Sequence, residues 1–200
     1  MSGRSVPNDY FEAMYRGDPD PWGYKTRTYE HGKYAATLSA LPRARYKAAF
    51  EVGCSIGVLT RLLATRCDTV MAADCSETSL ALARETCRDT RNVRLVFLRV
   101  PVRWPGKSFD LILLSEVLYY LSGREVARTA RRTIESLRPN GTVVLVHWLG
   151  STGAAQTGDQ AATRFLRETR GFLRPVRRKR NAHYRLDILV RRSLPYPASF

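Results

Sequence analysis

The chain has 200 residues, 44% hydrophobic and 26% charged, an ordinary globular composition that excludes disorder of its bulk. That length is one domain, or one domain with a lid, and it can bury enough surface to fold without metal or disulfide staples. Lys and Arg number 33 against 18 Asp and Glu, a net charge of +15; such a surplus either attracts nucleic acid, phosphorylated metabolites or anionic membranes, or records Arg enrichment at solvated positions.

The first forty residues are polar, aromatic and rich in turn formers. A short helix is predicted over 9–15 and a turn over 18–23, where proline fixes φ and Asp and Gly tolerate tight geometry. A second helix follows over 29–40. From residue 48 short apolar runs alternate with amphipathic stretches. Strands are predicted at 48–52, 69–73, 92–99, 110–114 and 142–147; the fourth is continuously apolar, as a strand buried on both faces must be. Helices are predicted at 57–65, with Leu59, Leu62 and Leu63 inward, and at 76–89, with Leu80, Leu82 and Ala83. A further helix over 123–137 ends at Pro139, Asn140 and Gly141. Beyond Trp148 a helix is expected over 155–169. Strands at 173–179 and 184–191, joined through Asn181 and Ala182, would make a hairpin. This alternation calls for an α/β, doubly wound, mainly parallel seven-stranded sheet with an antiparallel edge hairpin. Residues 1–40 would form a helical cap, 41–192 the sheet domain and 193–200 a tail.

The longest apolar stretches, 111–114 and 142–146, fall far below the ~18 residues of a spanning helix. Asp9, Glu12, Asp18 and Asp20 stand where a signal peptide has its apolar core, so a cytoplasmic protein without membrane association is expected. Cys54, Cys67, Cys75 and Cys87 form no CxxC pair, and His31, His147 and His183 are scattered. Reduced thiols and no metal are therefore expected. The densest cationic cluster, Arg174, Arg177, Arg178, Lys179 and Arg180, lacks the interleaved aromatics of a nucleic-acid module.

The most informative stretch is E-x-G-x-x-x-G over residues 51–57, where the first strand turns into a helix. In open α/β sheets ligands sit at the carboxyl ends of the strands, at the switch point. Gly53 and Gly57 let the backbone turn and approach a ligand closely. Ser55 and Val58 break the dinucleotide pattern GxGxxG, and no Gly-Lys-Ser/Thr of a phosphate loop occurs. Asp74, ending the second strand, is placed to accept both hydroxyls of a ribose.

Residues 51–57 with Asp74 resemble the first two motifs of the class I S-adenosylmethionine-dependent methyltransferases. The run 109–121, the Leu137-Arg138-Pro139-Asn140-Gly141-Thr142 segment and the Asp20-Pro21-Trp22 and Tyr29-Glu30 pieces are similar to one branch. That branch is the rhizobial nodulation protein S group, N-methyltransferases of a chitooligosaccharide amino sugar. The likeness covers residues 9–148 and implies a Rossmann-like methyltransferase with S-adenosylmethionine as cofactor. It implies that Glu51 orients the loop and contacts the methionine end, lined by Gly53, Cys54, Ser55 and Gly57. Asp74 would hold the ribose, Cys75 and Val100 the adenine faces, and Glu116 the amino group beside the methionine moiety. Trp22 and Tyr29 would close the pocket. The chain departs from the class at Val100 and Pro101, where an acidic residue often meets the adenine amine.

Each assignment has a plainer alternative. Asp74 could be a helix N-terminal charge, with Ser76 behind it as the N-cap. Glu116 could be a solvated strand-end carboxylate, Tyr119 and Tyr120 packing residues, and Trp22 a lid or core aromatic. His147, at the end of the fifth strand, is either a general base or a structural histidine; Glu116 and His147 are the two candidates to take a proton from an amine. The leading reading is N-methylation of a small amine or amino sugar. The others are a methyltransferase of nucleic acid and a cofactor-binding regulator without catalysis.

Overall fold

The computed structural model describes residues 3–154 and 156–192. Among the described residues the α-helices and strands follow in the order α1 (Asn8–Gly17), α2 (Thr28–Ala40), β1 (Tyr46–Val52), α3 (Val58–Ala64), β2 (Cys67–Asp74), α4 (Glu77–Thr86), β3 (Val93–Phe97), β4 (Phe109–Ser115), α5 (Gly123–Ser136), β5 (Leu137–Trp148), α6 (Gly158–Thr169), β6 (Leu173–Arg180) and β7 (Tyr184–Arg191). The sheet has seven strands in the order β3-β2-β1-β4-β5-β7-β6. β3, β2, β1, β4 and β5 pair in parallel, while β7 runs antiparallel to both β5 and β6. This is the expected doubly wound sheet with its edge hairpin.

Two apolar layers hold it together. On one face Ala49, Val70, Ala72 and Leu113 pack with Leu59 and Leu63 of α3, Leu80 of α4 and Tyr34 and Ala40 of α2. On the other Phe50, Ile112, Leu114, Val143 and Leu145 meet Val126 and Ala130 of α5 and Ala161 and Phe165 of α6. The alternation of strand side chains between faces assigns each residue to its layer. α2 thus belongs to the core and is not a loose appendage.

Boundaries shift where side chains cap the backbone. Ser122 and Glu125 form a capping box that starts α5, and Thr157 and Gln160 another that starts α6. α6 therefore begins at Gly158; Ala155 and the tail 193–200 lie outside the described residues. α5 stops at Ser136, and β5 begins at once, pairing buried Leu137 with Phe109 before a register shift. α4 ends at Thr86, short of 89, as the chain turns through Cys87 and Thr90. Among the described residues no helix is long and apolar enough to cross a membrane, and no cluster of His, Cys, Asp and Glu is arranged to hold a metal. All four cysteines are free.

Candidate active site

A cleft opens at the carboxyl ends of β1, β2 and β4, roofed by the N-terminal segment and α1. The loop after β1 shapes its floor. Gly53 sits at φ 73°, and a Cβ there would stand 2.4 Å from Val117 Cγ2. Ser55 takes φ 51° and Glu116 φ 57°, left-handed conformations that cost a non-glycine residue about 1–3 kcal/mol and gather at functional sites. The carboxylate of Asp74 holds the loop in place. It accepts the Ser55 N–H at 2.8 Å and the Ser76 N–H at 3.1 Å, and it still lines the cleft. Burial raises its pKa, and those amides offset only part of the rise.

Two further carboxyl groups line the same space. Glu51 is 2% exposed, and its Oε2 accepts the Thr60 hydroxyl at 2.6 Å. Burial pushes its pKa up to about 8. Glu116 is fully engaged: Lys33 Nζ donates to Oε1 at 2.7 Å, while Tyr119 Oη and the Trp148 N–H donate to Oε2 at 2.9 and 2.8 Å. Lys33 also pairs with Glu30 at 3.0 Å. Burial disfavours its charge, but Glu116 and Glu30 outweigh burial and raise its pKa, so the lysine stays cationic.

Aromatic rings build the opposite wall. Tyr15, Trp22, Tyr24 and Tyr34 run in sequence with centroid spacings of 5.7, 5.6 and 6.3 Å. Phe11 meets Tyr120 edge-on at 4.9 Å. The turn holding Trp22 is organised by Asp20, whose carboxylate accepts the N–H groups of Tyr24 and Lys25. α1 is fastened by Glu12, which accepts from Ser76 Oγ at 2.7 Å and from the Thr78 hydroxyl and N–H at the start of α4. Those hydrogen bonds lower its pKa to about 2.

Of the residues expected at the site, Trp22, Glu51, Gly53, Cys54, Ser55, Asp74, Cys75, Val100 and Glu116 all line the cleft. Three stand apart from it. Gly57, at φ 81°, faces α4; a Cβ there would lie 3.1 Å from Ala83 and from Cys87 Sγ, so it is a packing glycine at a helix contact. Tyr29 is turned away among Trp148, His183 and Tyr184. His147 is wholly buried, edge-on to Tyr119 at 5.8 Å, and a Cβ on Gly158 of α6 would stand 3.0 Å from its own. Burial lowers its pKa to about 4. It does not reach the cleft, and the general-base reading of His147 is corrected to a structural one. Lys33, Tyr24 and Tyr34 were missed. Glu30 and Lys33, three residues apart on a helix, were the available signal for a pair, and a buried lysine is nearly always paired.

The sheet order and a ligand cleft at its switch point define the Rossmann-like methyltransferase fold. The chain of the Bradyrhizobium japonicum N-methyltransferase NodS, solved with S-adenosyl-L-homocysteine, superposes with a TM-score of 0.77 at 18% identity, over 93% of this chain and 98% of that one. The magnesium protoporphyrin IX methyltransferase of Synechocystis, solved with bound SAM, gives 0.69 at 15% identity over 94% and 99%. A Pseudomonas syringae protein provisionally named a methyltransferase is 36% identical, with a TM-score of 0.72 over 82% of this chain and all of that one. The family model of nodulation protein S matches residues 14–154, and the chain belongs to that family. Nodulation protein S of Sinorhizobium fredii is 30% identical over 127 residues, 62% of this chain and 59% of that protein. That of Bradyrhizobium diazoefficiens is likewise 30% identical, over 62% and 61%. The chain thus matches about three-fifths of the length of these relatives.

Proposed function

We propose that the chain is an S-adenosylmethionine-dependent N-methyltransferase acting in the cytoplasm on a small amine, with an amino sugar as the favoured acceptor class. The observation that carries this reading is electrostatic. In a chain of net charge +15, Glu51, Asp74 and Glu116 converge on one cleft walled by aromatic rings. Carboxylates and ring faces together attract cations, and both the sulfonium cofactor and an amine acceptor are cationic before reaction. The Rossmann-like neighbours and the family membership support the same reading.

The residues present fit that cofactor. Asp74 would take the ribose hydroxyls, Glu51 and the loop 53–55 the methionine end, and Cys75 and Val100 the base. When bound, the cofactor supplies an electrophilic methyl group on a cationic sulfur. The protein's part is to hold the acceptor's lone pair in line and keep water out, an arrangement that can supply several kcal/mol, roughly up to 7–11. Glu116 already accepts three hydrogen bonds. It is therefore better suited to holding an ammonium by its charge than to removing a proton, which leaves the amine for solvent before transfer. Trp22, Tyr24 and Tyr34 offer ring faces on which a sugar can stack.

The test is calorimetric titration of the wild type and Asp74→Ala with S-adenosylmethionine and S-adenosylhomocysteine. Binding by the wild type that Asp74→Ala weakens by about 1–3 kcal/mol, the cost of leaving ribose hydroxyls unpaired, is expected. Methyl transfer to glucosamine oligomers should follow in the wild type. Absence of binding in the wild type overturns the proposal.

A further inference from the structure

Parallel strands ordinarily lie buried on both faces, but the two faces of this sheet are unequally covered. α3 and α4 cover β1, β2 and β3 on one side, while α5 and α6 lie on the other over β4 and β5. Among the described residues, the irregular segment 98–108 is what covers β2 and β3 on that second side. Its Trp104 packs edge-on against Phe50 at 5.1 Å and donates to Ser136 Oγ at 3.0 Å.

A groove lies at the N-terminal ends of these strands, the end remote from the active-site cleft. Half-buried Ala48 and Met71 contribute apolar floor, and exposed Arg91, Arg94, Lys107 and Arg138 surround it. Among the described residues none of these four cations has an ion pair or a side-chain hydrogen bond. The nearby carboxylate, Asp110, is itself buried and spent on the Lys47 and Ala48 amides and on Arg43. The Arg-rich hairpin is partly paired. There Arg178 pairs with Asp187 and Arg180 with Asp159. No Asp or Glu is among the residues that line the groove.

We propose that this groove docks an acidic amphipathic helix of a partner protein. A helix is the element that normally covers such a face. Its apolar stripe would lie on Ala48 and Met71, and its carboxylates would meet the four cations. A second copy of this chain would bring like charges together, which disfavours self-association. The inference is independent of the methyltransferase reading, since it uses none of the cleft residues.

Fluorescence anisotropy on the full chain tests it, with a labelled helical peptide of about 15 residues carrying Leu on one face and Glu on the other. A scrambled peptide of the same composition and a single-stranded DNA oligonucleotide serve as competitors. The amphipathic peptide should bind best, and the double variant Arg94→Glu/Lys107→Glu should weaken it by about tenfold or more. Met71→Gln should weaken it several-fold while leaving the thermal transition in place. The proposal fails if the scrambled peptide or the DNA binds as tightly, if the charge reversals change nothing, or if the peptide does not bind.

Discussion

Glu51 is a carboxyl group that the fold keeps from water beside a cleft suited to cations. With its pKa at about 8 against an ordinary 4.5, the folded chain holds a proton there that the unfolded chain has lost between those two values. Stability from this group therefore falls as pH rises through that window. A cationic ligand favours the carboxylate, so binding should release a proton. The affinity for S-adenosylmethionine should then rise from pH 7 to about 8 by up to about tenfold per pH unit and level off above. Titration calorimetry across that range should show the slope in the wild type and lose it in Glu51→Gln; a flat wild-type profile contradicts the assignment. At this scale the sequence located a residue wherever its place depends on a local turn. Glu51, Gly53 and Asp74 were legible because a strand-to-helix turn with a following acidic strand end is a short-range pattern. His147 was not, because strand parity decides its direction: Val143, Leu145 and His147 alternate onto the layer beneath α6, away from the cleft. Tyr29 was misplaced for a similar reason, since α2 buries Glu30, Lys33, Tyr34 and Thr37 and leaves Tyr29 at the border of that face.

Among the elements, α1 is held by its rings and by a polar latch. Glu12 reaches the first turn of α4, where free amides and the helix dipole both favour an anion, and Val6 N–H donates to the Tyr120 carbonyl at 2.9 Å. Glu12→Gln should cost about 1 kcal/mol of local stability, as loss of a helix cap does. Hydrogen exchange of the α1 amides should accelerate several-fold while the strands stay protected; unchanged exchange in α1 would show that packing alone holds it. Because the pKa of Glu12 is depressed to about 2, this contribution is complete above its ordinary 4.5 and fades as pH falls toward 2. The strands and helices themselves were readable from period alone. What the pattern missed were starts and stops decided by side chains, such as the Thr157–Gln160 capping box at α6, which was present in the sequence as T-G-D-Q.

For the molecule as a whole, the net charge of +15 is not spread evenly in its consequences. Arg185 is 7% exposed and Asp187 wholly buried, and the two meet while Asp187 also takes Arg178 and Arg185 also reaches Asp159 and Thr163 of α6. This network joins β6, β7 and α6 in one unit. Removing one charge from a buried pair strands the other. Asp187→Asn should therefore lower global stability by about 3–5 kcal/mol in urea unfolding, with S-adenosylmethionine affinity unchanged in the fraction that remains folded. A loss below 1 kcal/mol would mean that water screens the network. Which arginines are paired was invisible in the sequence, because Asp159 and Asp187 are brought to the hairpin by tertiary structure.

The roof over the cleft has a consequence in time. Val6, Asn8, Phe11 and Tyr15 form part of the wall, so the first helix stands beside the space a ligand would fill. Freeing Glu12 should then shorten the stay of bound S-adenosylhomocysteine, read as a faster off-rate in Glu12→Gln; an unchanged off-rate would leave release to the sheet loops alone.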